Sequence, residues 1–202
     1  MPSANYLNYP TIRDVDNGEN TGFTISISSD NSVLPVSVSE FKDYAKIDTA
    51  SDDALIEDII EAVKIKGEAW TRLTFFNRTY IAFYEQHARQ VDLPYGPHTA
   101  VTLVERYHPD GTFETLVENT DYFVTGQGFK TLTFMSWGYG LRVTFTAGYG
   151  ASAGNLPPDL KLATLKACLS AYEDRQDLVA GSFMEIKGSS KAYFAPKRRI
   201  VL

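Results

Sequence analysis

Residues able to bind a metal ion are few in this chain, and their spacing is unfavourable. His87, His98 and His108 fall in stretches typical of strands or turns, and Cys168 is the only cysteine. Structural zinc sites use about four Cys or His ligands at short, regular intervals. The chain offers no such pattern, so we predict neither a metal site nor a cofactor.

Two residue pairs remain as candidates for catalysis. A His87–Cys168 pair would need a thiolate, but Cys168 stands among alanines and leucines of a predicted helix, where a buried, inert thiol is expected. Asp52 and Asp53 would make a carboxylate pair, but they stand where a helix begins, and the helix dipole stabilises negative charge there. We predict no catalytic site and no enzymatic activity.

Nucleotide and nucleic-acid binding also lack support. The segments 138–140 and 148–150 both read Gly-Tyr-Gly, but no Lys-Ser/Thr follows them and neither joins a strand to a helix. The net charge is −6, so the chain has no global basic field, and its aromatic strands carry few interleaved bases. We expect tight turns at both glycine segments.

The strongest element is a helix over residues 53–73. Its predicted apolar face comprises Leu55, Ile56, Ile59, Ile60, Val63 and Trp70, and its predicted polar face comprises Glu57, Asp58, Glu61, Lys64 and Glu68. Gly67 costs about 1 kcal/mol relative to Ala in a helix, so we expect another backbone to approach closely there. Two shorter helices are predicted at 37–47 and 158–176.

Between the second and third helices the pattern changes to strand-like alternation. Short strands separated by turn residues are predicted at 79–85, 90–93, 100–107, 113–117, 121–125, 129–134 and 141–147, with an earlier one at 22–28. The fold class predicted is therefore α+β: a three-helix bundle with an inserted antiparallel β unit, plus extended N- and C-terminal arms.

These elements divide the chain into four predicted regions. The predicted regions are an N-terminal arm with a short strand at 1–35, a helical body at 36–73 and 157–179, a β unit at 74–156, and a basic docking tail at 180–202. No stretch approaches the roughly 20 apolar residues that span a bilayer, and the first residues lack the apolar run of a signal peptide. We expect no membrane partner.

The tail has the most unusual composition. Residues 180–202 carry a net charge of +4 and the rest of the chain −10. Gly188-Ser189-Ser190 predicts a flexible stretch that lets the tail extend toward a partner. Ile200-Val201-Leu202 favours a strand added to the edge of that partner's sheet. The predicted partner-binding residues are Ile186, Lys187, Lys191, Tyr193, Phe194, Lys197, Arg198, Arg199, Ile200, Val201 and Leu202. Deleting 186–202 is expected to leave the body folded.

Four segments taken in order resemble a known family. They are LPVSVSEFKDYAKID with DDALIEDIIEAV and EAWT, LPYGPHTAVTLVERYHPDG, DYFV with VTFTAGYG, and LPPDLKLATLKACLSAYEDR. Over residues 34–177 this combination resembles the head–tail connector (adaptor) proteins of long-tailed bacteriophages, prophages and gene transfer agents. No segment is diagnostic alone, since each is a packing or turn pattern.

The resemblance implies a non-enzymatic virion protein at the neck, assembled in the bacterial host cytoplasm. Its copies would form a homo-oligomeric ring, twelvefold in the family, beneath the portal protein. The ring would continue the channel for packaged DNA without sequence-specific binding, and would dock a tail-side stopper or tail terminator protein. Residues 180–202 would then be the segment that docks on the portal. The competing interpretation is a carbohydrate- or ligand-binding β module of a phage tail or cell-surface assembly.

Overall fold

The computed structural model describes residues 23–29, 32–86, 88–136, 140–173 and 193–198. They divide into two compact units. A helical unit contains residues 32–76 together with the described residues from 149 onward, and a β unit contains residues 77–148 together with the strand at 23–29. The mixed content of helices and antiparallel sheets confirms the predicted α+β class, whereas the bundle arrangement of the helices stays a prediction.

Three α-helices of the helical unit lie within its described residues up to 173. They are α1 (Val38–Ala45), α2 (Asp53–Thr71) and α3 (Pro158–Glu173). A capping box opens α1, because the Glu40 N–H donates to Ser37 Oγ while the Ser37 N–H donates to Glu40 Oε2. Lys46 and Arg72 end α1 and α2 in the left-handed conformation, which turns the chain out of each helix.

All three helices contribute to one apolar core. Its fully buried side chains include Phe41 of α1, Ile56 and Ile60 of α2, and Leu160 and Cys168 of α3. The connecting segments add Val36, Leu73, Phe75, Phe76 and Leu156. This core matches the apolar face predicted for the long helix, although Leu55 and Trp70 lie only partly buried at its margin.

Two charged residues of α2 lie inside the unit and contradict the predicted polar face. Lys64 is 4 % exposed and Glu68 6 % exposed. Glu68 Oε1 accepts a hydrogen bond of 2.7 Å from the Phe75 N–H, and Lys64 Nζ donates one of 2.9 Å to the Val33 carbonyl. Both side chains bond to backbone groups of the connecting segments, and these hydrogen bonds offset the cost of removing the charged groups from water.

The described residues of the β unit form eight strands in two antiparallel sheets. In chain order they are β1 (Phe23–Ser29), β2 (Arg78–Tyr84), β3 (Gln90–Asp92), β4 (His98–Tyr107), β5 (Phe113–Thr115), β6 (Tyr122–Thr125), β7 (Thr131–Phe134) and β8 (Gly140–Ala147). The five-stranded sheet has the order β1-β2-β8-β4-β5 and the three-stranded sheet the order β3-β7-β6. β1, assigned from sequence to the arm, is thus an edge strand paired with β2.

One face of the five-stranded sheet is buried and the other is not. Every second residue of β2 and β8 is buried, and these side chains share a core with Leu132 and Phe134 of the three-stranded sheet. On β4, the hydroxyls of Thr99 and Thr102 donate to the Thr146 and Thr144 carbonyls at the two register shifts of that strand. Side-chain hydrogen bonds therefore supplement the ladder where β4 is irregular.

Candidate partner interface

The C-terminal segment 193–198 contains four of the residues predicted to bind a partner: Tyr193, Phe194, Lys197 and Arg198. The remaining predicted residues, Ile186, Lys187, Lys191, Arg199, Ile200, Val201 and Leu202, lie outside the described part of the chain. Segment 193–198 packs on the helical unit, and its six residues include a short 3₁₀ turn at Ala195–Lys197.

Phe194 fastens the segment to the helical unit. Its side chain is fully buried, and its ring stacks on that of Phe75 with centroids 6.5 Å apart. The ring also lies over Gly67 of α2, where a Cβ atom would meet Phe194 Cζ at 3.2 Å. The close approach predicted at Gly67 therefore occurs, but the approaching group is an aromatic side chain and not a backbone.

Three charged contacts surround this apolar anchor. Lys197 Nζ pairs with Asp159 Oδ2 of α3 at 2.9 Å, and Lys166 Nζ lies 4.6 Å from the centroid of the Tyr193 ring. The Arg198 guanidinium lies 5.3 Å from the Trp70 ring. These contacts attach the segment to both α2 and α3, and each adds the modest stabilisation typical of partly exposed ion pairs and cation–π contacts.

The ion pair shifts both of its titrating groups. The hydrogen bond from Lys197 holds the pKa of the Asp159 carboxyl below its ordinary value, and Asp159 raises the pKa of the Lys197 ammonium. Both shifts favour the charged forms, so the contact persists over the whole neutral range. Both side chains are more than one-third exposed, which limits the energy involved.

These contacts change the predicted role of Phe194. A side chain with no exposed surface is not available to a partner in this conformation, so Phe194 belongs to the chain's own core. The burial of Phe194 argues against the expectation that the body stays folded when residues 186–202 are deleted, since the deletion removes a buried phenyl ring. Tyr193, Lys197 and Arg198 keep exposed surface, and partner binding by the tail stays a prediction.

Sequence reasoning predicted a close approach at Gly67, but it did not identify the other residues that receive the segment: Trp70, Phe75, Asp159 and Lys166. Gly67 was the one available signal, because a glycine inside an otherwise strong helix indicates a close contact. The other four carry no local sign of their role. Trp70 reads as an apolar-face residue, and Asp159 reads as an ordinary acidic residue in the first turn of a helix.

Cys168 and His98, considered above for catalysis and for metal binding, lie inside the fold, whereas His87 lies outside the described residues. Cys168 is fully buried, and burial raises the pKa of its thiol to about 12. His98 is buried, and its Nδ1 accepts a hydrogen bond from the Lys130 N–H, so the ring proton lies on Nε2 and is donated to the Pro94 carbonyl.

The acidic pair at the start of α2 is divided between two partners. Tyr172 of α3 donates its hydroxyl to Asp52, and Lys42 of α1 pairs with Asp53 at 2.7 Å. The two carboxylates thus link α2 to its neighbours. Across the described ranges, no cluster of three or more His, Cys, Asp or Glu side chains is arranged to hold a metal ion. Nor does any helix in those ranges have the length and apolar character to cross a membrane.

Comparison with solved structures places this fold among known particle components. No protein-family model and no curated protein matches the chain. A chain in the neck of an empty gene transfer agent particle, computed with C6 symmetry, superposes with a TM-score of 0.69 at 20 % identity, covering 89 % of this chain and 97 % of that one.

Two further structures give the same result. A chain of the native gene transfer agent virion matches with a TM-score of 0.67 and 19 % identity, over 88 % of this chain and 96 % of its own length. A chain in the neck of the native particle, computed with C12 symmetry, matches with a TM-score of 0.62 and 19 % identity, over 87 % of this chain and 96 % of its own length. The resemblance predicted from sequence is thereby confirmed at the level of the fold.

Proposed function

We propose that this chain is a structural neck protein of a tailed, phage-like particle, where it serves as the head–tail connector. The observation that carries the proposal is the extent of the fold similarity, which covers nearly all of this chain and nearly all of the gene transfer agent chains. Those chains belong to a particle neck and to a virion. The proposed role is therefore assembly and not catalysis.

Copies of the chain would form a closed ring around the DNA channel. Two of the similar chains come from necks computed with C6 and C12 symmetry. A closed ring requires that each copy present two different surfaces, one to each neighbour. The acidic character of the chain, −10 outside residues 180–202, suits a channel through which DNA must slide, because carboxylates repel phosphates.

The docking element toward the portal protein would be residues 199–202, which follow the anchored segment. Phe194 and the Lys197–Asp159 pair hold segment 193–198, to which these residues are joined, on the helical unit. Arg199 would pair with carboxylates of the portal protein, and Ile200, Val201 and Leu202 would add a strand to the edge of its sheet. A fixed point of departure lowers the entropy lost when such a short element binds.

Removing residues 199–202 tests this docking element without disturbing the core. We expect the truncated chain to keep the stability of the intact chain and to lose attachment to portal-bearing heads. A matched control is Leu162→Ser, which alters an exposed apolar residue of α3 and leaves the tail intact. Attachment that survives the truncation would move the portal contact to the body of the chain.

The competing interpretation, a carbohydrate- or ligand-binding β module, makes different predictions. Size-exclusion chromatography with mass measurement, in the presence of portal protein, should give a ring-sized complex if the connector proposal is correct. A glycan-binding screen should then give no specific ligand. A monomer that ignores portal protein and binds one class of glycan would support the alternative.

A further inference from the structure

The uncovered face of the five-stranded sheet contains a depression of about 450 Å³. It crosses four adjacent strands, β1, β2, β8 and β4. Its lining combines the apolar side chains of Ile81, Phe83 and Leu103 with hydroxyls such as that of Thr24 and with the charged side chains of Glu105 and Arg142. The side chain of Leu103 is 37 % exposed. This face is therefore partly apolar and has no cover within the described part of the β unit.

An arginine with unused donors lies in the same depression. Arg142 Nε donates a hydrogen bond of 2.6 Å to Glu105 Oε2, and its guanidinium lies 3.9 Å from the centroid of the Phe113 ring. These two contacts fix the plane of the guanidinium. Its Nη1 and Nη2 groups make no hydrogen bond to any residue that the structure describes, so two nitrogens are held in place for a carboxylate bound in bidentate geometry.

The sequence just before β1 has the complementary chemistry. Residues 6–16 read YLNYPTIRDVD, which combines five aromatic or aliphatic side chains with the carboxylates of Asp14 and Asp16. The chain that follows this segment enters β1 at Phe23, next to Thr24, which lines the depression. The six residues 17–22 span about 20 Å when extended, and the four strands are only about 14 Å across, so the connection is long enough.

We propose that residues 6–16 dock in this depression of their own chain, with Asp14 or Asp16 bound to Arg142 and apolar side chains covering Ile81 and Leu103. A short connection to β1 gives the segment an effective concentration on the order of millimolar, so modest contacts suffice to keep it bound. The inference is independent of the proposed neck function, since it concerns only contacts within one copy.

Thiol labelling of the full chain tests the docking directly. Leu103→Cys places a thiol in the depression, and buried Cys168 contributes no background. Maleimide should label Cys at position 103 at least about tenfold faster in a chain lacking residues 1–20 than in the full chain, a factor equal to about 1.4 kcal/mol of docking free energy. In the full chain, Asp14→Asn combined with Asp16→Asn should raise the rate toward that of the truncated chain.

A control in the same unit separates docking from a general loss of structure. Met135 is 61 % exposed and does not line the depression. In the variant Met135→Cys, the labelling rate should therefore be the same in the full and the truncated chain. Equal rates at position 103 in the full and truncated chains would overturn the proposal. Protection that grows with protein concentration would overturn it as well, because the occupant would then come from a second copy.

Discussion

The ring of Phe194 lies over Gly67, in the space that a side chain on α2 would otherwise occupy. A Cβ atom at Gly67 would stand 3.2 Å from Phe194 Cζ and 3.4 Å from Phe75 Cζ. The glycine therefore gives up helix stability, about 1 kcal/mol relative to Ala, in a position where the C-terminal segment needs close access to the helix. This contact makes the segment 193–198 part of the folded helical unit.

Phe194→Ala should lower the free energy of unfolding by about 3–5 kcal/mol, because it removes a fully buried phenyl ring. Urea unfolding followed by circular dichroism measures the change. Tyr193→Ala, whose side chain is 41 % exposed, is the neighbouring control and should cost less than about 1 kcal/mol. Equal, small losses for both variants would show that Phe194 is not an anchor.

Lys197→Gln should reduce stability by about 0.2–1 kcal/mol at neutral pH, the range of exposed ion pairs. The pKa of Asp159 is lowered in the folded state, so the contribution of its carboxylate is present above the ordinary value of 3.8 and is lost as the pH falls through the lowered pKa. The difference between wild type and variant, measured by urea unfolding, should therefore disappear in strong acid. A difference independent of pH would rule out the ion pair as its source.

Glu68→Leu should destabilise the helical unit by about 1–3 kcal/mol, because the buried Phe75 N–H loses the acceptor that Glu68 Oε1 provides at 2.7 Å. Glu68→Gln keeps an acceptor oxygen and should cost distinctly less. Glu61→Leu, on the exposed side of α2, should change stability by no more than about 0.5 kcal/mol. Equal stability of Glu68→Leu and Glu68→Gln would show that the hydrogen bond to Phe75 contributes nothing to the free energy of unfolding.

Cys168 should be inert in the folded protein. Its pKa of about 12 leaves roughly one thiolate in ten thousand at pH 8, and the side chain has no exposed surface. Iodoacetamide should leave the native chain unmodified and should alkylate one site per chain in denaturant, as measured by intact mass. Rapid alkylation of the native chain would place the thiol at an accessible site.

Hydrophobic periodicity was sufficient to locate the helices and strands, because each element shows its solvent-facing pattern in consecutive residues. It was not sufficient for Lys64 and Glu68, which look like surface residues of α2 but bond to backbone groups of Val33 and Phe75. Periodicity reports the polarity of a side chain and contains no information about an internal partner from another segment. Buried charges of this kind require the three-dimensional structure.

The sequence also did not allow us to predict which distant segments pair with one another. The sequence indicated the strands, but not their separation into two sheets or the pairing of β1 with β2. In the same way, Phe194 was predicted from its basic stretch to bind a partner, and only the structure shows its ring packed against Gly67 and Phe75. Contacts of this range depend on which segments meet after folding, and local composition does not encode them.

A ring-forming neck protein lies at the junction of head and tail, so the location of the chain in the particle decides between the proposed function and its alternative. Particles from the strain that encodes the chain can be labelled with gold-coupled antibody against it and imaged by electron microscopy. The proposal predicts gold at the junction of head and tail, and heads that separate from tails when the gene is deleted. Gold on the tail tip or the capsid shell, or intact particles without the gene, would contradict it.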